Sequence, residues 1–147
     1  MKIKIAWIGK SKAAAIQSLT DEYLKRLRHY AEVEGVVLKD EAGLLKLCEA
    51  GARPVRHALV LLDGRGKQLS SEEFAKWLGD YQERSSAPLL FAIGGADGFS
   101  EEARRTATMV LSLGKMTLAH ELARVVLLEQ IYRAFTILKR HPYHLGH

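Results

Sequence analysis

The apolar residues of the chain follow two patterns in alternation, and together they predict strands that alternate with helices. Apolar runs or alternations typical of strands occur in MKIKIAWIGK, GVVLKD, HALVLLDG, PLLFAIGG and MVLSLG. In the segments between them, apolar residues recur every three to four positions, as one buried helix face requires. This period predicts helices over residues 11–30, 43–50 and 70–81, a helix that begins after Ser100, and a long last helix that begins at Thr117.

Three of these helices have a candidate cap, and the spacing indicates their buried faces. Ser70 and Glu73 have the spacing of a capping box. Ser100 is expected to cap the fourth helix, and Ser11 the first. The buried face of the first helix is predicted to consist of Ile16, Leu19, Tyr23, Leu27 and Tyr30.

Strands that alternate with helices predict an α/β fold, in which a parallel or mostly parallel sheet is covered by helices on both faces. In such sheets, ligands bind beyond the carboxyl ends of the strands. Three predicted strands lead into the loops LLDGRGK, IGGADGF and SLGKMTL at that edge. We therefore expect a candidate site where these loops meet.

Each loop admits a structural and a functional interpretation. The adjacent glycines of IGGADGF allow the backbone to approach a ligand closely, or they form a tight turn with positive φ. Asp63 faces a ligand or, in the interpretation that we favour, organises its own loop. Leu113, Met116 and Leu118 are apolar where a loop is expected to be polar, so they either contact the face of an aromatic ring or plug the end of the sheet.

The last helix is apolar on more sides than one sheet face can cover. A helix on a sheet needs an apolar stripe of about 100° or more, whereas apolar residues surround most of the segment 118–140. We expect the remaining area to contact a second copy of the protein, with Ile131 and Phe135 in that contact. Arg124 and Arg133 lie in two separate polar clusters, where they contact phosphates, the partner subunit or only solvent.

The composition is that of an ordinary globular protein, and we expect residues 1–147 to form one domain. The formal net charge of +5 is compatible with a nucleic-acid partner but supports one only weakly. The single cysteine, Cys48, fits a reducing cytosol and is expected to pack as a small hydrophobe. The charged segment MKIKIAWIGK does not resemble a signal peptide, and no apolar run is long enough for a membrane span. We therefore expect a cytoplasmic protein with no membrane partner.

The motifs LLDGRGKQLSSEEFA, FAIGGADGF, LSLGKMTLAHELARVVLLEQIYRAF and the final PYH, in this order and at this spacing, resemble the RlmH family of the SPOUT superfamily. The resemblance extends over effectively the whole chain. It implies a parallel α/β sheet whose C-terminal part is tied into a trefoil knot, which is rare among folds. It also implies S-adenosylmethionine as the cofactor, a homodimer through the C-terminal helix, and methyl transfer to N3 of a pseudouridine in 23S rRNA of the assembled 70S ribosome.

The resemblance also assigns roles to individual residues. The cofactor residues that it implies are Leu62, Gly94, Leu113, Gly114, Lys115, Met116, Thr117 and Leu118. Gly95 is expected to serve the shape of the backbone. The sequence departs from the family at Ala119, where a proline is frequent, and in the extension of residues 145–147 after Tyr143 and His144.

N3 of a pseudouridine becomes nucleophilic as its proton leaves, so a base is expected near the methyl group. His144 is one candidate and His120 is another, unless His120 only bonds the backbone at the helix start. Tyr143, which follows the expected end of the helix at Pro142, is a candidate for stacking on a base. The tentative substrate residues are Arg124, Arg133, Tyr143 and His144.

Two other functions remain open from the sequence. One is a non-catalytic RNA- or ribosome-binding protein of the same fold, and the other is a methyltransferase that acts on tRNA. His141, His144 and His147 also lie close together in the sequence. They are weak support for a metal site, and we expect no metal.

Overall fold

The computed structural model describes residues 1–53, 55–95 and 97–146, without the side chain of His144. Strands and helices alternate along the chain, as the apolar patterns predict. In chain order they are β1 (Lys2–Ile8), α1 (Ala14–Leu27), β2 (Glu32–Leu38), α2 (Glu41–Cys48), β3 (Ala58–Gln68), α3 (Ser71–Arg84), β4 (Leu89–Ile93), α4 (Glu101–Thr106), β5 (Met109–Ser112) and α5 (His120–Leu138), followed by a 3₁₀ helix (Pro142–Gly146).

The described strands form a five-stranded sheet in the order β2-β1-β4-β3-β5, and the neighbouring strands are parallel. The prediction of an α/β fold with a parallel sheet is confirmed. Because the strands point the same way, their carboxyl ends share one edge of the sheet. The trefoil knot stays a prediction of the resemblance.

Helices cover both faces of the sheet, and each face has its own core. On one face, α1, α3 and α5 pack over buried side chains such as Ile5 and Phe91. On the other face, α2 and α4 pack over the alternate side chains of the same strands, such as Ala6 and Leu90. Cys48 is buried in this second core, as expected.

Two of the three predicted helix caps are present. Ser70 Oγ accepts a hydrogen bond from the amide of Glu73 at 3.0 Å, and the Glu73 carboxylate accepts one from the amide of Ser70 at 2.8 Å. These bonds complete the predicted capping box, and Ser100 caps α4. The cap predicted at Ser11 is wrong, because α1 begins at Ala14 without a side-chain cap.

The buried face of α1 differs from the predicted one. Leu19, which was expected in the core, is 44% exposed. The buried residues of α1 are Ile16, Thr20, Leu24 and Leu27. Thr20 can be buried because its hydroxyl donates to the carbonyl oxygen of Ile16 at 2.7 Å and so needs no water. Because Thr20 is polar, a pattern of apolar spacing could not identify it as part of the buried face.

β3 is longer than the apolar run that predicts it. The segment LLDGRGK, expected as an exit loop, stays within the strand, which ends only at Gln68. Leu111 of β5 pairs with both Leu62 and Lys67, so the residues between those two bulge out of the ladder. We call residues 63–66 the β3 bulge.

α5 begins at His120 rather than at Thr117, and it ends at Leu138. Arg140 then adopts a left-handed conformation, with a φ of 57°, and turns the chain. The expectation that Pro142 ends the helix is therefore wrong. Pro142 instead begins the 3₁₀ helix.

Candidate active site

A cavity of about 570 Å³ opens at the carboxyl ends of β3, β4 and β5. Its size is typical of small-molecule and cofactor sites. It is lined by residues 62–65, 93–95, 97–98, 112–120 and 123. The structure thus brings together all the predicted cofactor residues, which are Leu62, Gly94, Leu113, Gly114, Lys115, Met116, Thr117 and Leu118. Their role in cofactor binding stays a prediction.

The loop after β5 combines a fixed turn with exposed apolar side chains. Ser112 Oγ accepts from the amide of Gly114 at 3.2 Å and donates to its carbonyl oxygen at 2.9 Å. Gly114 has a φ of 136°, a conformation that other residues rarely adopt. Met116 is 86% exposed, and Leu118 is exposed as well. The interpretation that these two side chains plug the sheet is therefore wrong, and they are available to contact a ring.

The surroundings of the two glycines after β4 differ from those expected from the sequence. A Cβ atom on Gly94 would lie 3.1 Å from Cε2 of Phe99, so Gly94 allows its own loop to pack closely. The expectation that Gly95 serves the backbone shape is wrong, since a Cβ there meets no described atom within 4 Å and its φ is not in the left-handed region. Because Gly95 also lines the cavity, a side chain at this position would occupy cavity space.

Asp63 organises the β3 bulge, as favoured from the sequence. Its Oδ1 accepts from the amide of Arg65 at 2.9 Å, and its Oδ2 lies 3.6 Å from Nη1 of Arg104. Burial by itself raises the pKa of the Asp63 carboxyl, but the hydrogen bonds and charges of the two arginines outweigh it, so the pKa is lower than ordinary. Asp63 therefore contributes a negative charge to the cavity wall at neutral pH.

Among the described residues, the ionisable side chains that line the cavity are Asp63, Arg65, Asp97, Lys115 and His120. The structure thus places one candidate base, His120, at the cavity. The side chain of the other candidate, His144, lies outside the described part of the structure. The sequence did not single out Asp97 or Ser112, because an isolated polar residue in a loop carries no signal until the strands before it are known to be neighbours.

Arg133 lies in the second half of α5 and Tyr143 lies beside it, outside the cavity lining. Oη of Tyr143 donates to Oε2 of Glu129 at 2.9 Å, and its ring packs edge-on against Tyr132 with 4.8 Å between the ring centres. Arg133 pairs with Glu129, and its guanidinium carbon is 5.2 Å from the centre of the Tyr143 ring. Burial, together with hydrogen bonds to Tyr23 and Glu129, raises the pKa of Tyr143. Glu129 and Tyr132 come nine and twelve residues after His120, which lines the cavity, so at 1.5 Å per residue this cluster lies about 14–18 Å from His120 along α5.

Arg124, a tentative substrate residue, is buried rather than solvated. It is 1% exposed, and its guanidinium carbon lies 4.2 Å from the centre of the Trp7 ring. Its Nη2 donates to Ser11 Oγ at 2.5 Å. In this position Arg124 does not reach the surface, so its role in substrate binding stays a prediction.

Within the described ranges, no group of three or more His, Cys, Asp or Glu side chains is placed to hold a metal ion. His147 and the side chain of His144, which belong to the weak metal pattern, are outside those ranges. None of the helices described is both long enough and apolar enough for a membrane crossing.

Comparisons with known proteins give matches that extend over nearly the whole chain. Residues 1–144 match the family model "Predicted SPOUT methyltransferase". The protein named Ribosomal RNA large subunit methyltransferase H from Koribacter versatilis (strain Ellin345) is 56% identical over 149 residues, with 100% of each chain covered. Sequence similarity of this extent is sufficient to assign the chain to the family of its relative.

Two solved structures are similar at much lower identity. A probable methylase family protein from Haemophilus influenzae Rd KW20 gives a TM-score of 0.62 at 11% identity, over 96% of this chain and 69% of that chain. The SpoU methyltransferase AviRb from Streptomyces viridochromogenes, in complex with the cofactor AdoMet, gives 0.56 at 16% identity, over 90% and 57%. These likenesses show the fold alone. The family model and the relative at 56% identity show that the chain belongs to the SPOUT methyltransferase family, which confirms the resemblance, the fold class and the enzyme class predicted from the sequence.

Proposed function

We propose that the protein transfers a methyl group from S-adenosylmethionine to N3 of a pseudouridine in 23S rRNA of the assembled 70S ribosome. Membership of the family makes it a methyltransferase. The relative at 56% identity is named for the ribosomal RNA of the large subunit, which supports this RNA as the substrate. The pseudouridine, its N3 atom and the assembled ribosome rest on the resemblance to the RlmH family. The observation that carries the proposal is the cavity that joins the loops after β3, β4 and β5.

The residues of the cavity fit an adenosyl cofactor. Met116 and Leu118 present exposed apolar side chains that suit the faces of an adenine ring. Gly94, Gly95 and Gly114 line the same cavity, and because they have no side chain the backbone can approach the ring edge closely there. Bound S-adenosylmethionine supplies an electrophilic methyl group. The contribution of the chain is to align that group with the target nitrogen and to accept a proton.

His120 is our first candidate for the proton acceptor. It stands in the first turn of α5, is exposed, and lines the cavity. An imidazole can take up a proton near neutral pH. The imide nitrogen of a pseudouridine must lose a proton to become nucleophilic, and a nearby imidazole can accept it. His144 is the second candidate, and its position on the chain determines how it could act.

We infer that Tyr143 and His144 serve the cavity of a second copy of the chain. Within one protomer, Tyr143 does not line the cavity. Contacts with Glu129 and Tyr132 hold its side chain about 14–18 Å from His120 along α5. A site that uses these residues is therefore shared between two protomers of a homodimer.

The surface proposed for the second copy differs from the expected one. Ile131 and Phe135 are fully buried in the core of their own chain, so their assignment to a dimer contact is wrong. α5 packs against α1, α3 and β4, which accounts for most of its apolar circumference. Leu122 and Val126 nevertheless remain 52% and 36% exposed, and they lie one helical turn apart. We place the dimer contact on this exposed stripe of α5, formed by Leu122 and Val126.

Methylation assays on intact ribosomes, free large subunits and tRNA, each with labelled S-adenosylmethionine, test the proposed function. We expect label in 23S rRNA of intact ribosomes, at N3 of a pseudouridine. A methyltransferase for tRNA would label tRNA instead. A non-catalytic RNA-binding protein would label none of them and would give no heat with S-adenosylmethionine in calorimetry.

A further inference from the structure

The loop between β1 and α1, residues 9–13, lies beside the cavity across the start of α5. Trp7 in β1 pairs with Ile93 of β4, and Ile93 belongs to the cavity wall. The amide of Lys12 donates to Oε1 of Glu121, in the first turn of α5, at 2.8 Å. Residues 9–13 do not line the cavity itself. The β1–α1 loop is therefore a separate surface next to the place of methyl transfer.

The start of α1 offers open hydrogen-bond donors and positive charge. α1 is 14 residues long, its N-cap residue Ala13 makes no side-chain hydrogen bond, and its first turn has no acidic residue. The first two amides of α1 have no partner among the described residues. Lys10 and Lys12 are exposed on either side of Ser11. This arrangement favours an anion at the helix start.

A buried arginine behind the loop points independently to an anion. Arg124 is 1% exposed, and in the described part of the chain its Nε has no hydrogen-bond partner. Burial lowers the pKa of Arg124, and the charges of Glu121 and Asp21 only partly oppose this, since no described carboxylate forms an ion pair with it. A buried charge without a counter-charge is costly for the folded chain. An anion bound at the loop would offset that cost.

Ser11 connects this arginine to the surface of the loop. Its Oγ accepts the hydrogen bond from Nη2 of Arg124 at 2.5 Å. The hydroxyl proton of Ser11 therefore points elsewhere, and none of the described atoms accepts it. Polarised by the guanidinium, this hydroxyl is a donor for an anion outside the loop.

We propose that the β1–α1 loop binds a backbone phosphate of the rRNA substrate beside the nucleotide that is methylated. The inference rests on the proposed function. The first amides of α1, the Ser11 hydroxyl, Lys10 and Lys12 hold the phosphate, and Arg124 acts as a positioning residue through Ser11. Contacts of this kind fix the position of a nucleic acid without reading its sequence. The location outside the cavity favours RNA over the carboxylate of the cofactor.

The variant Ala14→Glu tests the site because it places a carboxylate among the open amides. A glutamate in the first turn favours the helix, so the melting temperature should not fall. We expect KM for ribosomes to rise roughly tenfold, since the carboxylate repels the phosphate and competes for its amides. The affinity for S-adenosylmethionine should stay unchanged. Gln82→Glu, an exposed position in the last turn of α3, is the control with the same change of charge and should retain the KM of the unaltered protein.

A second measurement follows the salt dependence of binding to ribosomes. If Lys12 contacts a phosphate, Lys12→Ala should reduce the slope of log affinity against log salt by about one. An unchanged KM in Ala14→Glu together with an unchanged slope in Lys12→Ala would overturn the proposal. Loss of affinity for S-adenosylmethionine in Ala14→Glu would overturn it as well, because the loop would then serve the cofactor. Failure of the proposed function would appear differently, as an unaltered protein that does not methylate ribosomes.

Discussion

The hydroxyl of Tyr143 donates a hydrogen bond to Oε2 of Glu129 at 2.9 Å, and this bond holds the end of the chain against α5. Glu129 also pairs with Arg133 through the same oxygen at 2.7 Å. One carboxylate therefore positions two of the residues that we proposed for substrate binding. Tyr143 therefore has a defined place beside α5, outside the cavity of its own chain.

Deleting residues 143–147 should separate methyl transfer from cofactor binding. The affinity for S-adenosylmethionine should be retained, because Tyr143 does not line the cavity of its own chain. Methyl transfer to ribosomes should fall by about a hundredfold or more, because a stacking residue and a candidate base are lost. The free energy of unfolding should fall by about 1 kcal/mol with the lost hydrogen bond. Tyr143→Phe, which keeps the ring, is the matched variant for that bond, and a truncated protein with the full rate would remove the tail from the site.

Gly95→Val should weaken cofactor binding without unfolding the protein. Among the residues that the structure describes, none has an atom within 4 Å of a Cβ at this position, so the added side chain fills cavity space. We expect the affinity for S-adenosylmethionine in calorimetry to fall at least about tenfold at an unchanged melting temperature. Gly94→Ala provides the contrast, since its Cβ would press on Phe99 and should lower the melting temperature. Equal affinities in Gly95→Val and the unaltered protein would show that the pocket is elsewhere.

Leu122→Glu should convert the protein to monomers, because Leu122 lies in the exposed stripe of α5. The monomer should remain folded and should lose methyl transfer, since the shared site is lost. Val37→Glu is the control, because Val37 on β2 has the same exposure of 52%. Sedimentation of both variants checks the prediction, and a fully active monomer would contradict it. Ile131→Glu should instead fail to fold, since Ile131 is completely buried.

Stability at acid pH should depend on Asp63. The pKa of its carboxyl is lowered in the folded protein, so its contribution is present above the ordinary value of about 3.9 and is lost as the pH falls through the lower folded value. At pH 7, Asp63→Asn should lower the free energy of unfolding by about 2 kcal/mol, the scale of hydrogen bonds to a charged group. Denaturant unfolding of both proteins at several pH values checks this. A difference that persists undiminished at the lowest pH would assign the effect to packing rather than to charge.

The sequence was sufficient to predict the fold class and the assembly of the cavity. Parallel strands place their exit loops side by side, so Leu62, Gly94 and Met116 could be grouped although they are far apart in the chain. Local signals such as the capping box of Ser70 and Glu73 were also reliable, because the cap depends on neighbours within one turn.

Burial by partners distant in the sequence could not be predicted. The spacing of apolar residues in α5 predicted a wide apolar surface. It did not show that α1 and α3 pack against this helix and that Ile131 is buried. From the sequence alone, Arg124 is expected to be a surface charge. Its burial is explained only by the placement of Trp7 and Ser11 around it. The β3 bulge was missed because it depends on the register between β3 and β5, which no local pattern contains.

The length of α5 has a consequence for mixtures of defective chains. With the cavity near His120 and the tail beyond Leu138, a chain with a blocked cavity still carries an intact tail, and a truncated chain still carries an intact cavity. With the shared site that we propose, neither chain acts with a copy of itself, because each homodimer lacks the same half twice. When Gly95→Val and tail-deleted chains are exchanged into mixed dimers, one of the two shared sites is whole again. Two inactive preparations should therefore complement each other and recover methyl transfer, which a site contained within one chain could not do.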